Sequence, residues 1–371
     1  MESSFQKADG MNYAPISTGI VRKAVEKGRF FFSVIGLDHG HISAMVNGIE
    51  EAGGTILNVY DKDPQKVDAF IKAHPSCRRA ADTDKVLCDC SSMVLSAIRP
   101  DKRFYLGEAV MNAGKDFFVD KPGFLKLSEV QKVRELSENT KRRYIVYFGE
   151  RIHVEGAVLA QQMIDEGRLG DIVSIQILAP HRLNAATRPD WFWDAEKNGG
   201  ILTDIGSHQL EQILSYAHAN SGTILSASVG NFNNPAHPDF QDYGQVSFVT
   251  DNGVQGFCRV DWFTPDGLKA WGDGRVFIVG TKGILEIRKY VDVAVSDIGD
   301  HIYFVDNEGE HHICAAGRTG YPFFGELILD CINRTENAVS QEHVLNAMEL
   351  ALQAQDMAVF YKRSINENEK R

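Results

Sequence analysis

A chain of 371 residues is longer than one hydrophobic core usually organises, so two domains are expected. Hydrophobic residues at 43%, charged residues at 24% and 33 glycines suit a globular protein and exclude collagen-like, mucin-like and broadly disordered classes. Thirty-nine Lys and Arg against 50 Asp and Glu leave a formal charge of −11, a mean field that repels polyanions and argues against nucleic acid as a partner.

Along the chain, residues 1–28 read as an N-terminal extension, with Thr18 to Lys27 spaced as one helix. From Arg29 the pattern changes. Phe30–Ile35 is a short apolar run stopped by Gly36, and Ile42–Ala52 has helical spacing. The alternation repeats with strand Thr55–Tyr60, helix Pro64–Ala73, strand Met93–Ile98, helix Arg103–Ala113 and strand Phe117–Val119. Ser128 with Gln131 then reads as a helix N-cap, and Tyr144–Phe148 as a strand. Apolar strands separated by helices predict a parallel, doubly wound Rossmann sheet over 29–148. Residues 149–371 predict a C-terminal α/β domain. After a helix at Val154–Glu166, its strands Ile172–Leu178, Ile224–Phe232, Gln245–Val249, Gln255–Trp262, Val276–Val279 and Ile284–Ile287 form an open, mostly antiparallel sheet. Helices at Leu202–Ala219 and Glu342–Tyr361 accompany it.

No window approaches the roughly 18 apolar residues a bilayer span needs. Met1 to Asn12 is polar where a signal peptide would be apolar, so the expectation is a cytoplasmic protein with no membrane partner. Six cysteines (Cys77, Cys88, Cys90, Cys258, Cys314, Cys331) form no CxxC pair and read as reduced thiols. The one-residue spacing of Cys88 and Cys90 is not zinc-site spacing, and no metal is expected.

A helix N-terminus directly after a buried strand presents backbone N–H groups and a dipole to a pyrophosphate. Here that turn reads Gly36-Leu37-Asp38-His39-Gly40-His41: only the first glycine of GxGxxG is in place, with Asp38 and His41 at the second and third glycine positions. Asp61, 25 positions after Gly36 at the end of the second strand, is placed to accept the ribose hydroxyls of an adenosine. Its carboxylate favours NAD, because it would repel a 2′-phosphate; the adjacent Lys62 keeps NADP open.

Asp120-Lys121-Pro122 follows a buried strand, which puts Lys121 at the ligand-binding edge of the sheet. Beside an oxidised nicotinamide its pKa would fall, suiting it to accept a proton or to donate a hydrogen bond to a carbonyl oxygen. The run Asn198-Gly199-Gly200-Ile201-Leu202-Thr203-Asp204-Ile205-Gly206-Ser207-His208 breaks before a helix and sets Asp204 and His208 four apart on one face, where a carboxylate can orient an imidazole. A metal reading of this pair lacks a third ligand, since His181 carries no spacing signal.

Gly36-x-x-x-Gly40-His41 with Asp61, then Asp120-Lys121-Pro122, then Gly199-Gly200-x-Leu202-x-Asp204-x-Gly206-x-His208 resemble the signature of the Gfo/Idh/MocA oxidoreductases, which include glucose–fructose oxidoreductase and inositol dehydrogenases. The resemblance runs from about Arg29 onward. It implies a dehydrogenase that moves a hydride between a secondary alcohol of a sugar, sugar derivative or polyol and a nicotinamide cofactor. His208, poised by Asp204, would remove the hydroxyl proton while Lys121 hydrogen-bonds the same oxygen. It places the cofactor on Gly36, Asp38, His39, Gly40, His41, Asp61, Lys62, Arg99, Pro100, Asp120 and Lys121, and offers Arg151, His153 and Trp191 to the substrate. It also implies a homodimer or homotetramer built on the C-terminal sheet. The sequence departs from the family pattern where Asp120 replaces glutamate, where Arg99-Pro100-Asp101 replaces Thr-Pro-Asn, where Phe104 replaces a histidine and where no proline follows Arg151. Two alternatives come from relatives of the same family: an NAD-dependent glycosidase with a transient oxidation, and a regulator that senses dinucleotide without turnover.

Overall fold

The computed structural model describes residues 20–296 and 298–362. Expectations falling on residues 1–19, which include the start of the Thr18–Lys27 helix, lie outside the described residues. From Ile20 to Lys27 the chain is not helical. Its backbone is bonded sideways instead: Ala24 N–H donates to Ala52 O at 2.9 Å, and Arg22 Nε to Thr319 O at 3.0 Å. Local helical spacing yields here to tertiary partners that take the same groups.

The first unit runs β1 (Phe31–Ile35), α1 (His41–Glu51), β2 (Thr55–Tyr60), α2 (Pro64–Ala73), β3 (Arg78–Arg79), α3 (Thr83–Leu87), β4 (Met93–Ser96), α4 (Pro100–Asn112), β5 (Asp116–Asp120), α5 (Leu127–Thr140) and β6 (Tyr144–Tyr147). Its six strands lie in the order β3-β2-β1-β4-β5-β6, all neighbours parallel, a Rossmann-like sheet. The strands β4, β5 and β6 are buried throughout, which is why they read as continuous apolar runs. Asp63 caps α2 by accepting from Gln65 N–H, with Pro64 at its first position. The start of α5 differs from expectation. Glu129, not Gln131, reaches back, accepting the N–H groups of Leu125 and Lys126, so Ser128 lies inside the helix.

The chain continues through α6 (Gly149–Ile152), α7 (Glu155–Asp165), β7 (Ile172–Pro180), α8 (Ala195–Asn198), α9 (Ile201–Asp204), α10 (Gly206–Tyr216), β8 (Gly222–Asn231), β9 (Tyr243–Thr250), β10 (Gln255–Asp261), β11 (Arg275–Gly280), β12 (Gly283–Arg288), β13 (His301–Asp306), β14 (Glu310–Cys314), α11 (Pro322–Asn333), α12 (Gln341–Met357) and β15 (Val359–Lys362). The nine strands form one sheet, β14-β13-β12-β11-β7-β10-β9-β8-β15, antiparallel except for the pairs β7–β10 and β8–β15. The expected α/β architecture is present: a parallel sheet followed by a mixed, mostly antiparallel one. Sequence spacing did not single out β3, α3, β13, β14, α11 or β15. The last helix stops at Met357, and Val359–Lys362 pairs with β8 instead of extending it.

The expected helix over Leu202–Ala219 is broken in two at Ile205. Gly199 and Gly200 precede it at φ +86° and +80°, a conformation that favours glycine, and a Cβ on Gly200 would fall 2.5 Å from Gln355 Oε1. That approach lets Gln241 and Gln355 accept the N–H groups of Ile201 and Leu202 and cap α9 from outside. Helix α11 follows the second sheet in sequence yet packs on α1, with Phe324 filling the space left by Gly48. Residues that follow β1 and β5 line one pocket with residues of α9 and α10.

Candidate active site

At the end of β1, Gly36 has φ +85°, and a Cβ there would lie 2.6 Å from Ile98 Cβ. Beyond it a cleft of about 660 Å³ is lined by Gly36, Asp38, Asp61, Lys62, Ile98 and Arg99. Asp61 is fixed at its floor, accepting Leu37 N–H at 2.7 Å and Asp63 N–H at 2.8 Å. The carboxylate of Asp38, at the second glycine position, is balanced by Lys66 Nζ at 2.6 Å and also accepts Arg99 N–H at 3.1 Å. Arg99 itself pairs with Asp101 at 2.8 Å, and Pro100 opens α4. This donor set fits a dinucleotide. The glycine would allow close approach, the buried acid could accept ribose hydroxyls, and the Asp38 carboxylate at the second glycine position is paired with Lys66.

Asp120 ends β5 fully buried. One oxygen accepts His41 Nδ1 and Lys121 N–H, each at 2.8 Å; the other accepts Arg103 Nη2 at 3.0 Å and lies 3.4 Å from His39 Nδ1. Burial pushes this carboxyl up, but His41 and Arg103 outweigh it and hold it well below the usual carboxylate range. Burial and the neighbouring His41 push His39 well below the usual imidazole range. Among the described residues, His39, His41 and Asp120 bring ligand atoms within 4.8 Å of one another, within reach of a cation.

Lys121 Nζ reaches across the cleft to Asp204 Oδ1 at 2.8 Å. Here the structure corrects the sequence reading: the break at Ile205 gives Asp204 to Lys121, and among the described residues it makes no hydrogen bond to His208. The acid nearest His208 in effect is Glu150, which sequence spacing did not find. Its oxygens accept Gln209 Nε2 at 3.0 Å and Lys289 Nζ at 3.1 Å and lie 3.5 Å from His181 Nε2. Burial raises the Glu150 carboxyl, yet Lys289 and the two histidines hold it far below its ordinary value. Burial pushes His208 down to about 3 and His181 to about 4 against the pull of Glu150, so both rings are neutral at physiological pH. His208 Nδ1 is buried with no hydrogen-bond partner among the described residues.

Lys121, Glu150, His181, Asp204 and His208 line one pocket together with His39, His41 and Tyr147, and much of the rest of its lining is aromatic: Trp191, Phe192, Trp262, Trp271 and Tyr290. Trp191 is therefore at the pocket, whereas Arg151 and His153 do not line it. Arg151 is locked to Glu211 at 2.9 Å, and His153 sits behind Tyr147, taking its hydroxyl at 2.7 Å. Arg103, Glu150 and Lys289 were missed, and His181 was set aside, because each stands beside another charged residue and belongs to no spaced motif. Their only signal is buried charge, which the linear sequence does not display.

A parallel sheet feeding a lysine at its carboxyl edge, faced by a mixed sheet that contributes a second acid and histidine, is the two-unit arrangement of dinucleotide-linked oxidoreductases. A sequence profile described as GFO/IDH/MocA C-terminal domain matches residues 158–286. The crystal structure of a protein described as an oxidoreductase from Erwinia carotovora atroseptica SCRI1043 is 38% identical, covers 90% of this chain and 99% of its own, and superposes with TM-score 0.87. This chain belongs to the Gfo/Idh/MocA family. It is also similar to D-xylose dehydrogenase of Paenarthrobacter nicotinovorans, 24% identical over 45% of this chain and about half, 47%, of that relative's length. The fold matches levoglucosan dehydrogenase in complex with NADH at TM-score 0.71 and 14% identity, over 88% of this chain and 97% of that one. No helix among the described residues is long and apolar enough to cross a membrane.

Proposed function

We propose that the protein is an NAD(H)-dependent dehydrogenase acting on a secondary alcohol of a sugar, sugar derivative or polyol. One observation carries the reading: Lys121 from the edge of the parallel sheet and Asp204 from the second unit meet at 2.8 Å, in a pocket that also holds His208. The named activities of D-xylose dehydrogenase and of levoglucosan dehydrogenase with its NADH agree with it. Bound nicotinamide would supply the redox chemistry, accepting or returning a hydride.

The chain supplies the rest. Lys121, pinned by Asp204, donates to the substrate oxygen and stabilises the charge that develops there as the proton leaves. His208, kept neutral by burial, offers a lone pair to the hydroxyl, and Glu150 stabilises the cation formed if the ring takes the proton. The aromatic wall gives the apolar face of a sugar ring a flat surface to lie on. Gly36, Asp61 and the first turn of α1 would hold the adenosine and pyrophosphate, with Asp61 selecting NAD and Lys62 leaving NADP as the weaker alternative. The apolar row Val279, Ile284 and Val305, paired in register on adjacent strands and 36–50% exposed, supports a homodimer or homotetramer through this sheet.

Calorimetric titration of NAD and NADP, followed by turnover assays across a panel of sugars and inositols, tests the reading. Tighter NAD binding and reduction of NAD by at least one polyol are expected. Binding of neither dinucleotide, or binding without turnover on any alcohol, would remove it.

A further inference from the structure

His41 and Asp120 are not needed for the chemistry above, yet they form the best-organised acid–imidazole pair in the pocket. We propose that His41, locked by Asp120, is a proton acceptor of this site, a third group beside Lys121 and His208; the proposal rests on the dehydrogenase reading.

His41 is the first residue of α1 and lines the pocket together with Lys121. Its Nδ1 lies 2.8 Å from Asp120 Oδ1. Asp120 is fully buried and held as an anion, so it has no proton to give, and the hydrogen of this bond belongs to Nδ1. Nε2 is the ring nitrogen that this bond does not occupy, and in the neutral ring it carries the lone pair. The carboxylate cannot swing away, because Arg103 holds it through Nη2 while anchoring itself on the carbonyls of Ile98, Asp120 and Pro122. His208 lacks any such bond to an acid. The titratable and charged groups around His41 are His39, with ring centroids 4.2 Å apart, Tyr147 at 5.6 Å with His153 behind it, Asp120, Arg103, Lys121 and His208.

Charge balance decides between a proton and a metal ion here. Asp120 with Arg103, and Lys121 with Asp204, are each neutral as pairs. A divalent cation among His39, His41 and Asp120 would sit beside two cations and compete for oxygens that already accept Arg103, Lys121 N–H and His41. A single proton on His41 adds one charge, shared with the adjacent carboxylate. In the oxidation direction the substrate O–H bond breaks and the proton passes to Nε2. The oxygen's electron pair becomes the second carbonyl bond as the C–H pair leaves for the dinucleotide.

Imidazole-nitrogen NMR on the full chain, assigned with His41→Gln, should show His41 as the Nδ1–H tautomer. The His41→Gln variant, assayed at saturating NAD, should lose about 100-fold in kcat. Added imidazole should restore part of the rate. If glutamine lowers the melting temperature, His41→Asn replaces it. A wild-type rate in the variant overturns the proposal. So does an Nε2–H tautomer in an active enzyme, as does a stoichiometric divalent metal whose removal by chelator abolishes turnover. Wild-type protein that oxidises no alcohol is a different result: it removes the dehydrogenase reading and the proton-acceptor role with it.

Discussion

The two walls of the pocket repeat one composition with opposite consequences. On the wall built by the parallel sheet, a buried acid, Asp120, is paired with a buried cation, Arg103, and flanked by His39 and His41. On the wall built by the second unit, a buried acid, Glu150, is paired with a buried cation, Lys289, and flanked by His181 and His208. The difference is one hydrogen bond and its exposure. Asp120 bonds His41 at 2.8 Å at the pocket surface, while Glu150 spends its bonds on Lys289 and Gln209 and influences His208 only through space. An acid, a cation and two histidines thus build one wall with an acid-bonded imidazole and one wall whose histidine rings make no hydrogen bond to the acid among the described residues.

Lys121 lies between the walls, and removing it should have the largest effect. Lys121→Ala is expected to lower kcat by two to four orders of magnitude, roughly 3–5 kcal/mol of barrier, with dinucleotide affinity retained in a calorimetric titration. Near-wild-type turnover would take the lysine out of the chemistry.

The second wall should answer in stability first. Lys289→Met leaves Glu150 buried without its cation and should cost about 3–5 kcal/mol in urea unfolding. The double variant Lys289→Met with Glu150→Gln should recover most of that loss, because no uncompensated charge remains. If the single variant unfolds at the wild-type urea concentration, Glu150 has another counter-charge and the likeness of the two walls fails.

A smaller, graded effect comes from acid. His153 and His208, pushed down to about 3, and His181, to about 4, stay neutral in the folded chain, whereas in the unfolded chain each protonates below about pH 6.5. The unfolded state then binds more protons, so stability falls as pH drops, by about 1.4 kcal/mol per pH unit for each ring. Asp300, raised by burial to about 6, works in the opposite sense over roughly pH 4–6. The net expectation is a loss of roughly 3 kcal/mol per pH unit between pH 6 and 5, read from urea midpoints. A flat profile there would mean that these rings are not neutral when folded.

Much of this protein was legible before any coordinates. Largely apolar runs such as Met93–Ile98 and Phe117–Val119 mark strands buried on both faces, because such strands show no alternation. Gly36, Asp61, Lys121, Asp204 and His208 stand at strand ends and helix starts, where local chemistry is visible in the spacing. Local spacing was also where the reading broke. The i,i+4 rule paired Asp204 with His208, but one residue out of helical continuity at Ile205 handed the acid to Lys121, 83 positions away in sequence. The extended run at Ile20–Lys27 and the edge strand Val359–Lys362 were decided by partners far along the chain.

What the sequence by itself determined was the two-sheet class and most of the strand and helix order of the first unit, since these follow from nearest-neighbour periodicity and turn geometry. What only the tertiary structure decided was which acid serves which base. Burial sets whether a carboxylate or an imidazole keeps its charge, and burial is a property of the packed core, so Asp120 with Arg103 and Glu150 with Lys289 acquire their roles only when residues on different elements are brought together out of water.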